Sequence, residues 1–134
     1  MSTDIMNLSA VSIAREINKK SISCKEVTIA FLERIDELNP VLNAVCTLNE
    51  QALDQADKAD QRLARGDAAR PLEGVPVLVK DILHTKDVRT TYGSLVRENY
   101  VPDEDAVSVE RLKNAGAILL GKTNTPEFAH DVNT

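Results

Sequence analysis

Gly74-Val75-Pro76-Val77-Leu78-Val79-Lys80-Asp81 is the stretch whose reading decides the fold. Residues 75–79 are apolar throughout, without the in-out alternation of a half-exposed strand. The run predicts a strand buried on both faces, the pattern of an interior strand in an α/β sheet. Pro76 stands near its start, where a missing N–H least disturbs the ladder. The run closes on a cation and an anion, Lys80 and Asp81. In open α/β sheets, ligands and chemistry gather at the carboxyl ends of strands. A lysine at the rim of a dry core loses hydration, which favours its neutral amine, so Lys80 is the candidate proton-handling group. A solvated strand end is the plainer reading of the same residues.

Upstream, the spacing predicts three helices. The first covers residues 8–19, with Ser9 as N-cap and Ala10, Ile13, Ala14 and Ile17 on one face. The second begins with the capping-box pattern Ser23-Cys24-Lys25-Glu26 and carries Val27, Ala30, Phe31, Ile35 and Leu38 on its apolar stripe. Pro40 predicts its end near Asn39. Residues 42–48 lean towards a short strand. A third helix is expected over residues 50–65, capped by Asn49, with small residues at Ala52, Ala56 and Ala59 and an Asp54/Lys58 pair. Gly66 supplies its stop.

Downstream, residues 82–94 read as loop. Thr90, Thr91, Gly93 and Ser94 are small and polar, as a pocket lining would be; His84 is placed to line the same pocket, although a loop histidine is the plainer reading. Asp105 is the expected cap of a fourth helix over residues 106–114, followed by Gly116 and a second buried strand over residues 117–120. That order suggests an αβ unit feeding a sheet beside the first strand. The fold class is α/β.

Composition bounds the function. The 134 residues include 43% hydrophobic and 3% aromatic residues, so the core is aliphatic. A net charge of −5 and the lack of a basic stripe argue against a nucleic-acid partner. Cys24 and Cys46 lack metal-ligand spacing, which argues against a metal and fits a reducing cytoplasmic location. Cys24 falls in the first turn of a helix, where the dipole favours a thiolate, although a structural thiol is the plainer reading. Residues 1–7 are polar, with no signal core, and no apolar run suits a membrane span.

The string from Gly116 to Thr123 matches G-x-x-x-x-G-K-T letter for letter. A phosphate-cradling loop needs a strand before its first glycine and a helix at its lysine. Here a helix comes first, the intervening residues are strand-like, and Pro126 follows. The match is rejected.

Taken together, G-V-P-V-L-V-K-D, then T-T-Y-G-S, then D-A-V-S-V-E-R-L-K-N-A-G-A-I-L-L-G-K-T-N-T-P-E-F-A resembles the N-terminal part of the amidase signature family. The opening helices with L-N-P-V-L-N-A-V are similar to that family too, and the resemblance runs from Leu8 to Thr134. It implies a mixed sheet covered by helices, with residues 1–134 forming the N-terminal segment of a single amidase domain. Helical residues 8–65 would come first, then the first strands and the αβ unit at 74–134. It implies hydrolysis of carboxamides by a Ser–cis-Ser–Lys triad, with Lys80 at the triad lysine and no cofactor. In that mechanism the lysine takes a proton from the middle serine, which activates the nucleophilic serine. Backbone N–H groups of a Gly/Ser-rich loop form the oxyanion hole. Lys122, in the block Gly121–Glu127, is expected to be buried or paired and not catalytic.

The family's Gly/Ser-rich stretch with both serines is absent from these 134 residues, and Ser2, Ser9, Ser12, Ser21, Ser23, Ser94 and Ser108 match no triad position. The chain alone is therefore expected to be inactive. A piece of an amidase, acting on a small-molecule amide and partnered by the remainder of the amidase chain, is the favoured reading. A homodimer is compatible with it. A stand-alone, non-catalytic interaction module is the alternative. If the complete protein is an enzyme, a general amidase leads, and the A subunit of the glutamyl-tRNA amidotransferase, which releases ammonia from glutamine, is the other reading.

Overall fold

Ser9 caps the first helix, α1 (Ala10–Asn18), its hydroxyl accepting from the Ser12 N–H at 3.2 Å. Ile13 and Ile17 are buried on its inner face. The computed structural model describes residues 4–131, so the two ends of the 1–134 segment, including Met1–Thr3 of the polar N-terminus, lie outside the described residues. The second helix, α2 (Cys24–Leu42), opens on the expected capping box, with the Ser23 N–H donating to the Glu26 carboxylate at 2.8 Å. Asp60 on the third helix, α3 (Ala52–Ala64), adds a second cap: its carboxylate accepts from the N–H groups of Cys24 and Lys25 at 2.8 and 3.0 Å. Donors that a helix start leaves unpaired are thus met by an acid from a neighbouring helix.

Helix α2 does not stop at Asn39. It runs through Pro40 and ends at Leu42, where Asn43 takes a left-handed conformation (φ 47°, ψ 39°). The Asn39 side chain accepts from the Val45 N–H at 2.8 Å and donates to the Val45 carbonyl at 2.9 Å. Those bonds hold the helix end to the next strand and outweigh the local bias of the residue before proline.

The strands β1 (Val45–Leu48), β2 (Pro76–Lys80) and β3 (Ile118–Thr123) form one sheet in the order β1-β3-β2. β1 runs antiparallel to β3, and β2 runs parallel to it. The fourth helix, α4 (Val107–Asn114), lies between β2 and β3 in the chain, so the expected αβ unit is present. The fold is mixed α/β.

The expected burial of β2 on both faces is not met. Among the described residues β2 is an edge strand, with Leu78 37% exposed and Lys80 exposed. The interior strand is β3, which is longer than expected and buried from Ile118 to Lys122. Ile118 and Leu120 pack with α1, α2 and α3, whereas Leu119 packs with Val79, Val88 and Val109 on the opposite face. An unbroken apolar run reads the same in either strand, and only the number of neighbours separates them.

A β-bulge breaks the alternation of β3. Val77 pairs with Leu119 but Leu78 pairs with Gly121, which leaves Leu120 as the extra residue. Lys122 then pairs with Val79 and shares its face, instead of following Leu120 onto the side of α1, α2 and α3. Bulges re-aim side chains in this way. Asn49, expected as a helix cap, serves the bulge: its backbone N–H donates to the Leu120 carbonyl and its amide to the Leu119 carbonyl, both at 2.8 Å. Its Oδ1 also accepts from the Gln51 N–H at 3.1 Å. Asp105 is not a cap either. The N-cap of α4 is Ala106, which offers no side-chain cap, and the Asp105 carboxylate instead accepts from Lys113 Nζ and the Lys86 N–H, each at 2.8 Å.

Glu73 is fully buried just before β2 and bonded to Arg62 and Arg70, the Arg70 Nη2 contact being 2.9 Å. Burial alone would raise its carboxyl, but the Arg70 side chain and backbone and the Arg62 guanidinium hold it below its ordinary value of 4.5. A depressed acid contributes stability that is complete above the unfolded-state value and disappears as pH falls through the folded-state one. Glu73→Gln is expected to lower stability at neutral pH by about 2 kcal/mol and to flatten the acid side of the profile. Urea midpoints across the acid range check this, and a variant with the wild-type slope would remove Glu73 as its source.

Candidate active site

The carboxyl ends of β2 and β3 carry the charged residues that the sequence singles out. Lys80 pairs in register with Thr123 on the face opposite Val79 and Lys122, exposed, and its amine makes no side-chain hydrogen bond or ion pair among the described residues. Its backbone is tightly held. The Lys80 carbonyl accepts from the Leu83 N–H at 3.0 Å, the Asp81 N–H donates to the Thr123 carbonyl at 3.0 Å, and the Asp81 carbonyl accepts from the Tyr92 N–H at 2.9 Å.

Asp81 is 1% exposed. Its carboxylate accepts from the Thr91 N–H at 3.1 Å and from the Thr91 hydroxyl at 2.5 Å. Lys122 Nζ lies 4.0 Å away. Lys122 is fully buried and donates to the Leu83 carbonyl at 2.5 Å, to Thr85 Oγ1 at 3.0 Å and to Thr90 Oγ1 at 2.8 Å. Both hydroxyls donate their own protons to carbonyls, Thr85 to Leu83 and Thr90 to Val88, so each presents a lone pair to the amine. An ammonium has three N–H groups, and all three of Lys122 are engaged. Burial lowers its pKa to about 8, with Asp81 as the main opposing influence.

Thr90, Thr91 and Ser94, expected to line a pocket, are instead buried and bonded to Lys122, to Asp81 and to the Glu127 carboxylate respectively. Gly93 alone of that set is exposed. His84 joins a ring cluster over the same loop, its ring centre 5.9 Å from Tyr92 and 5.7 Å from Tyr100, with the Arg97 guanidinium over both tyrosines. Lys122 is buried and paired, as the family resemblance implies, but its partners Asp81, Thr85 and Thr90 went unread in the sequence. Their signal was a lysine set in an aliphatic strand, which must find acceptors once buried, together with three nearby threonines.

The thiols separate by environment. Cys24 is fully buried and pushed up to about 12 by burial, with Asp60 and then Glu73 adding to it, so the structural reading of this residue holds. Cys46 is half-buried, and its thiol is raised by burial and then by Asp81. Alkylation of the folded protein is expected to mark Cys46 slowly and Cys24 only after unfolding, as peptide mapping by mass spectrometry can show. Labelling of Cys24 at native rates comparable with Cys46 would contradict this packing. The rejected phosphate-loop string is occupied by helix α4 before Gly116 and by β3 between and beyond the two glycines.

Similarity to known proteins agrees with this geometry. The profile of the Amidase family matches residues 26–134. The glutamyl-tRNA(Gln) amidotransferase of Bdellovibrio bacteriovorus has an A subunit that is 46% identical over 94% of this chain and 26% of its own length. The corresponding protein of Alkalilimnicola ehrlichii is 52% identical over 87% of this chain and 24% of its own. Among solved structures, the peptide amidase of Stenotrophomonas maltophilia superposes with a TM-score of 0.89 at 35% identity, over 95% of this chain and 26% of that one. A bacterial aryl acylamidase gives a TM-score of 0.84 at 26% identity, over 90% of this chain and 26% of its own. The chain thus spans about a quarter of the length of these relatives, 26% for the first of them. In sequence and in fold, the chain belongs to the amidase signature family and corresponds to the N-terminal part of its members.

Proposed function

We propose that the complete protein cleaves carboxamide C–N bonds through a Ser–cis-Ser–Lys triad whose lysine is Lys80. The observation that carries the reading is the contrast between the two lysines at this end of the sheet. Every N–H of Lys122 is engaged with the protein's own oxygens. Lys80 is exposed on the other face with an amine unbonded among the described residues, at the strand end where hydroxyl partners can reach it. In this reading Lys80 takes the proton of the middle serine, and that serine takes the proton of the nucleophile as the tetrahedral intermediate forms.

Both serines would come from other parts of the complete protein, since the 134 residues contain no Gly/Ser-rich stretch to supply them. The chain by itself is therefore expected not to turn over amides. The edge of β2 that has no strand beside it among the described residues supports the chain's being a segment of one larger domain. So does an apolar groove between α2 and β2 lined by Phe31, Ile35, Leu38 and Leu78. A cytoplasmic location fits two unpaired thiols, and no helix of the described residues is long and apolar enough to cross a membrane.

The curated relatives favour a second, narrower reading: the A subunit of a glutamyl-tRNA(Gln) amidotransferase, at 46% identity in the first of them against 35% for the peptide amidase. Ammonia release from glutamine, compared with that from small aliphatic carboxamides, separates the two. Amide cleavage that persists when Lys80 is replaced would overturn both.

A further inference from the structure

Resting on the reading of Lys80 as the proton-handling amine, we propose that Lys122 is a positioning residue for it, acting through Asp81 and the loop that follows. The two lysines stand on opposite faces of adjacent strands: Val79 pairs with Lys122, and Lys80 pairs with Thr123. The backbone on the far side of Lys80 depends on groups that Lys122 holds. Leu83 donates its N–H to the Lys80 carbonyl, and its own carbonyl accepts from Lys122 Nζ. Thr85 and Thr90 bring two further points of the loop to the same ammonium. Thr91 closes on the Asp81 carboxylate, 4.0 Å from Lys122. Removing the ammonium frees this loop at three points and leaves the buried Asp81 carboxylate without its cation, with Thr91 and the Cys46 thiol beside it.

Stability alone does not account for a buried ammonium in this strand. Replacing a buried ion pair with well-packed apolar residues is often neutral or stabilising, and β3 is aliphatic from Ile118 to Leu120. What the charged pair adds is a single arrangement of a segment that has no regular structure of its own. A general base needs that. Its amine must sit within hydrogen-bond reach of the proton it takes, and a misplacement of about 1 Å can cost about 100-fold in rate.

The test uses the complete protein, with rates expressed per active site after titration with a serine-directed covalent inhibitor. Lys122→Met keeps the volume and removes the charge. It is expected to lower kcat by about 10- to 100-fold with KM nearly unchanged. Asp81→Asn with Lys122→Met removes both buried charges and is expected to be no slower than Lys122→Met alone, because the two act as one unit. A wild-type kcat per site in Lys122→Met, or losses that multiply in the double variant, would overturn the proposal. If Lys122→Met does not fold, Thr85→Val with Thr90→Val removes two of the three acceptors. A lowered kcat at constant KM is expected there too, and a wild-type kcat would have the same negative meaning. Lys80→Ala in the same assay keeps the two readings apart. If it stays active, the role of Lys80 is wrong; if it is dead while Lys122→Met is wild type, only the positioning role is wrong.

Discussion

Lys80→Ala in the complete protein is expected to reduce amide turnover by about 10⁴-fold or more, in line with the loss of a residue that acts as part of a catalytic unit. The fold should be nearly untouched. The Lys80 side chain makes no bond among the described residues, and its strand is held by the ladder to β3 and by the clamp on Asp81. The loss should therefore fall on kcat/KM while circular dichroism and the urea midpoint stay close to wild type. Lys80→Arg sharpens the result. A guanidinium keeps the charge but holds its proton throughout the working range, so it can bind an anion and cannot act as a base. Equal failure of both variants identifies proton transfer as the lost function. Activity in the arginine variant would point instead to a charge that binds substrate, and activity within tenfold of wild type in the alanine variant would end the proposal.

The second large effect concerns stability. Gly121→Val is expected to destabilise the protein by about 3 kcal/mol or more, near the upper end of overpacking effects. A Cβ at this position would run into the Thr47 carbonyl oxygen and lie 3.1 Å from the Leu48 Cα. Both belong to the backbone of β1, which pairs directly with β3 here, Leu48 opposite Gly121. A side chain could swing aside, but a paired strand cannot do so without losing its ladder. The same residue follows the bulge that turns Lys122 onto its face, so the variant should also lose activity beyond what its lower stability explains. Denaturant midpoints with a wild-type m-value would measure the first effect. A midpoint equal to wild type would show that β1 does not approach β3 as closely as described.

Much of the fold was legible locally. The Ser9 cap, the Ser23/Glu26 capping box, the alanine stripe of α3 and the Asp54–Lys58 pair, at 2.7 Å, all stand where the spacing puts them. Each depends on residues within about one or two helical turns. The failures share a different character. Pro40 lost to a pair of bonds between Asn39 and Val45. Asp105 left its helix end for the Lys113 ammonium, and Asn49 turned to the carbonyls of Leu119 and Leu120. In each case a partner outside the capping pattern, six residues on for Asn39, eight for Asp105 and 70 for Asn49, offered more than the expected role did. The motif blocks carried the family, because several ordered strings at the right separations constrain the fold more than any one of them.

The sequence by itself determined the elements, their order, the aliphatic core and the membership in the amidase signature family, since these rest on periodicity, capping chemistry and ordered motifs. Tertiary structure alone decided which apolar strand is interior and which face of β3 the buried Lys122 occupies. Burial depends on how many neighbours a strand acquires, and the face of Lys122 depends on one extra residue in the pairing of β3 with β2. Neither quantity exists until the strands meet.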